Sequence, residues 1–201
     1  MSLGKSNFRL LGLWSLWHRL RLFWRDSRGV SAVEFAMILS PMLILFLGTV
    51  EITNMLDQDR KISRVSNTVT DLVAQAQTIT TDEIDGITDL GKVVMAPNAD
   101  DGLEIIVASV SFDPQGDASV DWSHGNKTNS PWDQGDTPPI ILPDTVATPN
   151  TSIVVGQTNL TYVPKFSGVF SSSVERISSI ELSDTFYLRP RLTNKVSCTN
   201  C

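Results

Sequence analysis

Residues 28–56 read RGVSAVEFAMILSPMLILFLGTVEITNML and contain a long apolar run. From Phe35 to Val50 it contains no charged side chain, and with its flanks the apolar run covers about 20 residues, enough for a helix to cross a hydrocarbon core. A buried core helix or a secretory signal is the alternative. Signal peptides, however, have apolar stretches of about 7–15 residues that end at a small-residue cleavage site, which this run lacks. We therefore predict a transmembrane helix over residues 30–54.

Charge is distributed unevenly on the two sides of this helix. Residues 1–29 hold six Lys or Arg and one Asp, a charge of +5, which leaves −11 on residues 30–201 because the whole chain carries −6. Membrane proteins keep an excess of Lys and Arg on the cytoplasmic side. The sequence therefore predicts a basic cytoplasmic leader over 1–29 and an acidic domain over 55–201 on the outer side of a membrane, with no nucleic-acid partner. The Trp and Leu residues of the leader fit either a segment on the inner membrane surface or a disordered tail.

Glu34 stands out because it lies inside the apolar run. An ionised carboxylate costs roughly 2.5–3.5 kcal/mol near mid-membrane and less near the interface. Extension of the carboxylate to the lipid headgroups is the ordinary explanation for such a residue. The setting favours another one, because a basic leader ends at Gly29, four uncharged residues follow, and Glu34 then precedes an aromatic residue at the head of the helix.

This junction resembles that of type IV prepilins, in which a membrane aspartyl peptidase cuts after the Gly and the Glu becomes the fifth residue of the mature protein. The resemblance implies cleavage between Gly29 and Val30, which would give Val30 a free amine. Glycine leaves the backbone accessible to a peptidase, and a carboxylate paired with an amine is less costly in an apolar place than either charge alone. We therefore expect Glu34 to pair with the amine of a neighbouring subunit and to set the axial register of assembly.

The whole stretch 28–56 is similar to the TadE/TadG-like proteins of tight-adherence (Flp, type IVc) pilus systems. The matching residues are Arg28, Gly29, Ala32, Val33, Glu34, Phe35, Ala36, Pro41, Gly48 and Glu51. A second likeness lies in segment 153–166, which ends LTYVPKF, and in segment 186–191, which reads FYLRPR. The short chain favours the TadE-like members over the larger TadG-like ones.

Beyond the span, the pattern predicts an α+β domain. Apolar residues recur every three or four positions, so we expect one long N-terminal helix over about 30–78, kinked at Pro41, in which the transmembrane part continues into an amphipathic part. The capping-box spacing of Thr80 and Glu83 predicts a short helix over about 82–95. Strands are predicted at 103–112, 118–122, 152–163 and 179–189, with a long loop over 123–151 that has room for a short helix. Strands grouped after helices indicate a small antiparallel sheet packed on the amphipathic helix, which is the pilin-like architecture.

No constellation for catalysis or metal binding is evident. His18 lies in the leader and His124 in a predicted loop, and neither has the spacing of a metal site or a triad. Five aspartates could hold calcium but are better explained as solvated turn acids: Asp100, Asp101, Asp113, Asp117 and Asp121. We therefore expect no enzyme activity, no cofactor, no metal and no small-molecule substrate.

Cys198 and Cys201 form a C-x-x-C pair at the C-terminus. In an oxidising periplasm a local disulfide or a bridge to a partner is favoured over catalysis, because a frayed tail cannot provide the surroundings that lower a thiol pKa. Inert thiols are a third alternative. A metal site would need two further ligands, and none is evident.

Residues and resemblance together predict a TadE-like minor pilin or pseudopilin for the assembly of a tight-adherence pilus. Its partners would be the inner membrane, other pilus subunits and pseudopilins, and a prepilin peptidase. Two alternatives stay open. One is an uncleaved single-pass scaffold protein of the same machinery, and the other is a membrane-tethered periplasmic hydrolase, which would require a pocket with converging polar side chains.

Overall fold

The computed structural model describes residues 29–96, 102–128, 131–166 and 179–201. The predicted leader up to residue 28, with His18, and the aspartates Asp100 and Asp101 lie outside these ranges. The chain divides into two compact units, Met1–Val50 and Glu51–Cys201. Helix α1, Val30–Ala74, contains Pro41, and the prediction of one long N-terminal helix is confirmed.

The described part of the first unit consists of the beginning of α1. Among the described residues, one helix is long and apolar enough to cross a membrane by its length and composition, with a mean hydropathy of 2.2 in its most apolar window. No residue of that window is buried. Within the described residues, its large apolar side chains therefore pack against no core, as expected of a span surrounded by lipid or by other helices.

The described part of the second unit combines the rest of α1 with a short helix and six strands. The elements after α1 are β1 (Thr78–Ile79), α2 (Thr81–Met95), β2 (Glu104–Phe112), β3 (Ala118–Gly125), β4 (Ser152–Tyr162), β5 (Ile180–Leu188) and β6 (Ser197–Cys198). Four of the strands form an antiparallel sheet in the order β3-β2-β4-β5. The predicted α+β class and the antiparallel sheet are confirmed.

The sequence predicted the start of α2 closely, because a capping box marks it. The amide of Thr80 donates to Glu83 Oε2 at 2.9 Å, and the Glu83 amide donates back to Thr80 Oγ1, so the predicted capping box forms at the start of α2. Helix α1 ends at Ala74 rather than near 78, because the chain is extended at β1 by then. Strand β3 continues to Gly125, so the prediction of His124 in a loop is wrong.

The main core lies between the amphipathic part of α1 and one face of the sheet. The helix contributes Ile62, Val65, Val69 and Val73 at three- and four-residue spacing, and the sheet contributes Ile105, Val107, Trp122 and Val154. Helix α2 packs on the same core with very little space, since a Cβ on Gly91 would lie 2.9 Å from Val65 Cγ1. The amphipathic stripe of α1 thus packs against the sheet of the same chain, as predicted.

A second core covers the opposite face of the sheet. It contains Ile106, Ala108, Val110, Val155 and Trp132, with Ile140, Leu142 and Val146 of the long loop packed against it. Strand β2 is buried on both faces because its odd positions serve the first core and its even positions serve the second. The loop after β3 therefore acts as a lid over one face of the sheet, and the structure shows no helix in its described residues.

The C-terminal segment is an ordered part of the fold, so its prediction as a frayed tail is wrong. Strand β6 pairs in parallel with β1, and Val196 beside it is fully buried. The Trp122 indole donates to the carbonyl of Val196 at 2.8 Å. Two-residue strands have no periodicity to detect, which is why the sequence did not reveal this small sheet.

Candidate functional site

Gly29, Val30 and Glu34 lie together at the beginning of α1. The helix begins at Val30, and Gly29 directly precedes it. A Cβ on Gly29 would meet no described atom within 4 Å, so the bond between Gly29 and Val30 is accessible from that side. Val30 and Glu34 are four positions apart, which places them on one face of the helix with about 5–6 Å between their Cβ atoms. A carboxylate thus lies one turn away from the backbone nitrogen of Val30.

Exposed apolar side chains surround this carboxylate. Val33, Phe35 and Met37 are all more than half exposed, and Glu34 itself is exposed. The side chain therefore has no protein core to shield it within the described residues. An exposed charge at the head of an exposed apolar helix is stable in a membrane only with a partner for the charge or with access to the headgroups.

A second carboxylate, Glu51, ties the helix to the sheet. The Tyr162 hydroxyl, at the end of β4, donates to Glu51 Oε1, and the backbone amide of Lys165 donates to the same oxygen at 2.9 Å. The other oxygen, Oε2, is buried with no hydrogen-bond partner in the described part of the chain. Burial, the hydrogen bond to Glu51 and its negative charge all raise the pKa of Tyr162 above its ordinary range.

The sequence showed Glu51, Tyr162 and Lys165 separately, but it did not predict that they are in contact. Glu51 was one of the residues that match the Tad-type stretch, and Tyr162 and Lys165 lie in the second matching segment, LTYVPKF. They are more than 100 positions apart along the chain. A likeness in two separate segments was therefore the available signal, and only the packing of β4 against α1 shows that the segments meet.

The comparison with protein families concerns this same stretch. Residues 29–76 match the family described as TadE-like protein. The chain carries a TadE-like segment. The match extends from Gly29, before the helix, to just beyond the end of α1, and it confirms the predicted resemblance. No curated protein and no solved structure matches the chain.

The TadE-like segment indicates a Tad pilus-associated protein, with membrane association and pilus-related partners. The family is one of structural components and is not known for enzymes. A single N-terminal apolar helix is consistent with one pass through a membrane.

Outside the TadE-like segment, the structure joins Cys198 and Cys201 in a disulfide with their Cα atoms 5.7 Å apart. The enclosed Asn200 reaches the start of α2, where its Oδ1 accepts from the Thr81 amide at 2.9 Å. Its Nδ2 donates to Thr81 Oγ1 at 2.8 Å. The small disulfide ring thus holds a side chain that binds at the N-terminal end of a helix.

Three of the remaining polar candidates have structural partners, namely His124, Asp113 and Asp121. His124 is buried, and its Nε2 lies 2.8 Å from Asp85 Oδ1. Asp113 Oδ1 accepts from two backbone amides of its own turn, while Asp121 accepts from the hydroxyls of Ser109 and Ser111. The described residues contain no group of three or more His, Cys, Asp or Glu side chains arranged to hold a metal ion.

Proposed function

We propose that the chain is a TadE-like minor pilin or pseudopilin that supports assembly of a tight-adherence pilus, and that a prepilin peptidase removes the leader after Gly29. The observation that carries the proposal is the coincidence of three boundaries. The family match starts at Gly29, the helix starts at Val30, and an exposed apolar surface with a single carboxylate follows directly. A peptidase that cuts there would create an amine at the head of that surface.

Glu34 would then have a positively charged partner for its carboxylate within the membrane. In an assembly of parallel helices, the new amine of Val30 on one subunit can pair with Glu34 of a neighbour, which neutralises two charges in an apolar place. Pairing of this kind aligns adjacent subunits along their axis. No substrate is turned over, since the residues act through packing and charge.

The charge distribution supports an orientation with the leader in the cytoplasm and the domain after the span in the periplasm. The leader carries +5 and residues 30–201 carry −11. Lys and Arg near the end of a span stay preferentially on the cytoplasmic side. The inner membrane, other pilus subunits and pseudopilins, and the peptidase would be the partners.

Cleavage is tested by following the electrophoretic mobility and the N-terminal sequence of the full chain, expressed with and without a prepilin peptidase. We expect a shorter product that starts at Val30 only when the peptidase is present. Gly29→Val should block this product, because a branched side chain obstructs the approach to the bond. Gly48→Ala is the matched control, since a Cβ meets no described atom within 4 Å at either glycine. An unshifted band in the native sequence would refute the pilin assignment and favour the uncleaved scaffold.

Glu34→Ala should leave cleavage intact and remove the protein from the pilus or its assembly complex. The amine would then be left without its partner in an apolar environment. Asp59→Ala is the control, because Asp59 is an exposed carboxylate on the same helix beyond the apolar run. Co-purification with the other pilus components measures the effect, and normal incorporation of Glu34→Ala would contradict the pairing role.

A further inference from the structure

We propose that the loop over residues 163–166 lies in the membrane surface and anchors the second unit to the lipid headgroups. This inference rests on the proposed function in one respect, namely that the apolar part of α1 spans a membrane. It concerns a different segment, more than 100 residues later in the chain.

The loop is tied to the helix at the residue where the apolar run ends. Glu51 is the first charged residue after Glu34, and it directly follows Val50 in α1. The Lys165 amide and the Tyr162 hydroxyl both donate to its Oε1. Since a helix rises 1.5 Å per residue, the backbone of the loop is held close to the level at which the span meets water.

The side chains of the loop suit that level. Val163 is 60% exposed and Lys165 is exposed, while Pro164 between them is buried. In water, an exposed valine gains nothing from its position, but at a membrane surface it is covered by lipid. A lysine beside it can lay its apolar stem along the acyl boundary and leave its ammonium group among the phosphates. The loop thus exposes one apolar side chain, Val163, and one cationic side chain, Lys165, while Pro164 between them is turned inward.

Described carboxylates beside the loop are engaged in hydrogen bonds within the second unit. Glu181 lies opposite Thr161 in the sheet, and it accepts from the Thr161 hydroxyl at 2.9 Å. Glu51 is engaged by the loop backbone and by Tyr162. The exposed part of the loop therefore presents the Lys165 cation beside an apolar side chain. The phosphate layer of a lipid membrane is the surface that suits this combination.

The test uses the full chain in phospholipid vesicles with an environment-sensitive fluorophore on one engineered cysteine. The labelled positions are Val163→Cys, Ile141→Cys as a matched exposed apolar control, and Leu43→Cys inside the apolar run. Ile141 is 93% exposed and lies in the loop between β3 and β4. Lipids with a quencher near the headgroup should quench the label at 163 on the order of threefold more than the label at 141. Adding Lys165→Glu should reduce that difference.

The outcomes separate this inference from the proposed function. If the label at 43 is quenched by deep quenchers but the label at 163 behaves like that at 141, the span stands and the anchor is refuted. If the label at 43 is not quenched, the span and with it the proposed function fail. A label at 163 that is shielded from water but insensitive to quencher lipids, and that responds to the protein-to-lipid ratio, would refute the anchor in favour of contact with a second copy.

Discussion

Tyr162 and Glu51 show how a single pair of residues joins two distant parts of the chain. The hydroxyl is buried against the carboxylate, so ionisation would place two negative charges side by side with little water. Burial first, and then Glu51, raise the pKa of Tyr162. The second tyrosine, Tyr187, has its pKa raised by burial and by the charge of Asp184. Both tyrosines of the chain therefore hold their protons more tightly in the folded state.

This arrangement predicts a loss of stability at alkaline pH. Above the ordinary tyrosine pKa of 10.0 the unfolded chain releases these protons while the folded chain keeps them, so the free energy of unfolding falls as pH rises beyond that value. Tyr162→Phe should weaken this pH dependence and also lower stability by about 1–3 kcal/mol near pH 7, because Glu51 loses a donor. Urea unfolding of the detergent-solubilised chain at several pH values measures both effects, with Tyr187→Phe as the comparison. An unchanged alkaline slope in Tyr162→Phe would contradict the assignment.

Gly156 is a residue at which helix α1 and the sheet approach each other closely. The Ser66 hydroxyl of α1 donates to the Gly156 carbonyl at 2.7 Å, and a Cβ on this glycine would overlap the Thr70 hydroxyl. This close backbone contact leaves no room for a side chain at position 156 of β4.

Gly156→Ala should therefore force α1 away from the sheet and destabilise the fold by about 1–3 kcal/mol through overpacking. Gly86→Ala is the matched control, because Gly86 lies within α2 and a Cβ there meets no described atom within 4 Å. That control should be neutral or stabilising by up to about 1 kcal/mol, since alanine is the better helix former. Equal unfolding midpoints for the two variants would show that the close approach is not needed.

At the level of elements, the C-terminal segment completes the end of the second unit. Strand β6 lies beside β1, and the amides of Ser197 and Thr199 donate to the carbonyls of Gln77 and Ile79. The Cys198–Cys201 disulfide encloses the residue that binds the start of α2. The disulfide reduces the conformational entropy that the C-terminal segment gains when β6 separates from β1. A strand of only two residues can therefore stay paired.

The double substitution Cys198→Ser and Cys201→Ser should loosen this segment without unfolding the domain. A closed loop this short contributes about 2 kcal/mol in the chain-entropy account, which corresponds to more frequent local opening by on the order of 30-fold. Hydrogen exchange at the amides of Ser197 and Thr199 reports on the opening. Amides at the centre of β2 provide the reference, and equal protection in both proteins would mean that strand pairing alone holds the segment.

At the scale of the whole molecule, opposite charges flank one apolar helix, and this predicts its orientation. Protease added to intact spheroplasts should remove a tag placed after Cys201, because the acidic part lies outside under the positive-inside rule. Inverted membrane vesicles should protect that tag, and a cytoplasmic marker protein should show the reverse pattern. Protection of the tag in spheroplasts would overturn the orientation and the cytoplasmic position of the leader.

Much of the fold follows from local patterns in the sequence. The continuous apolar run and the three- and four-residue spacing after it predict α1, the Thr80 and Glu83 pair predicts the start of α2, and the alternating segments predict four strands. The junction from Gly29 to Glu34 was also visible, because every residue of it lies within one short stretch. The contacts of Glu51 and the pairing of β6 were not visible, since they depend on residues brought together by packing.

Strand β3 shows where the local pattern predicts correctly and where pairing with a distant strand sets the outcome. Its composition marks a strand, and alternation would place Val120 and Trp122 on the same face. In the sheet, Val120 pairs with Val110 and Trp122 with Ser109, so Asp121 is the extra residue of a β-bulge. The bulge sends Trp122 into the core against α1 and Val120 into the other core. Sequence periodicity is local and sets the type of each element, whereas register depends on hydrogen bonds between distant strands, and only the folded sheet decides it.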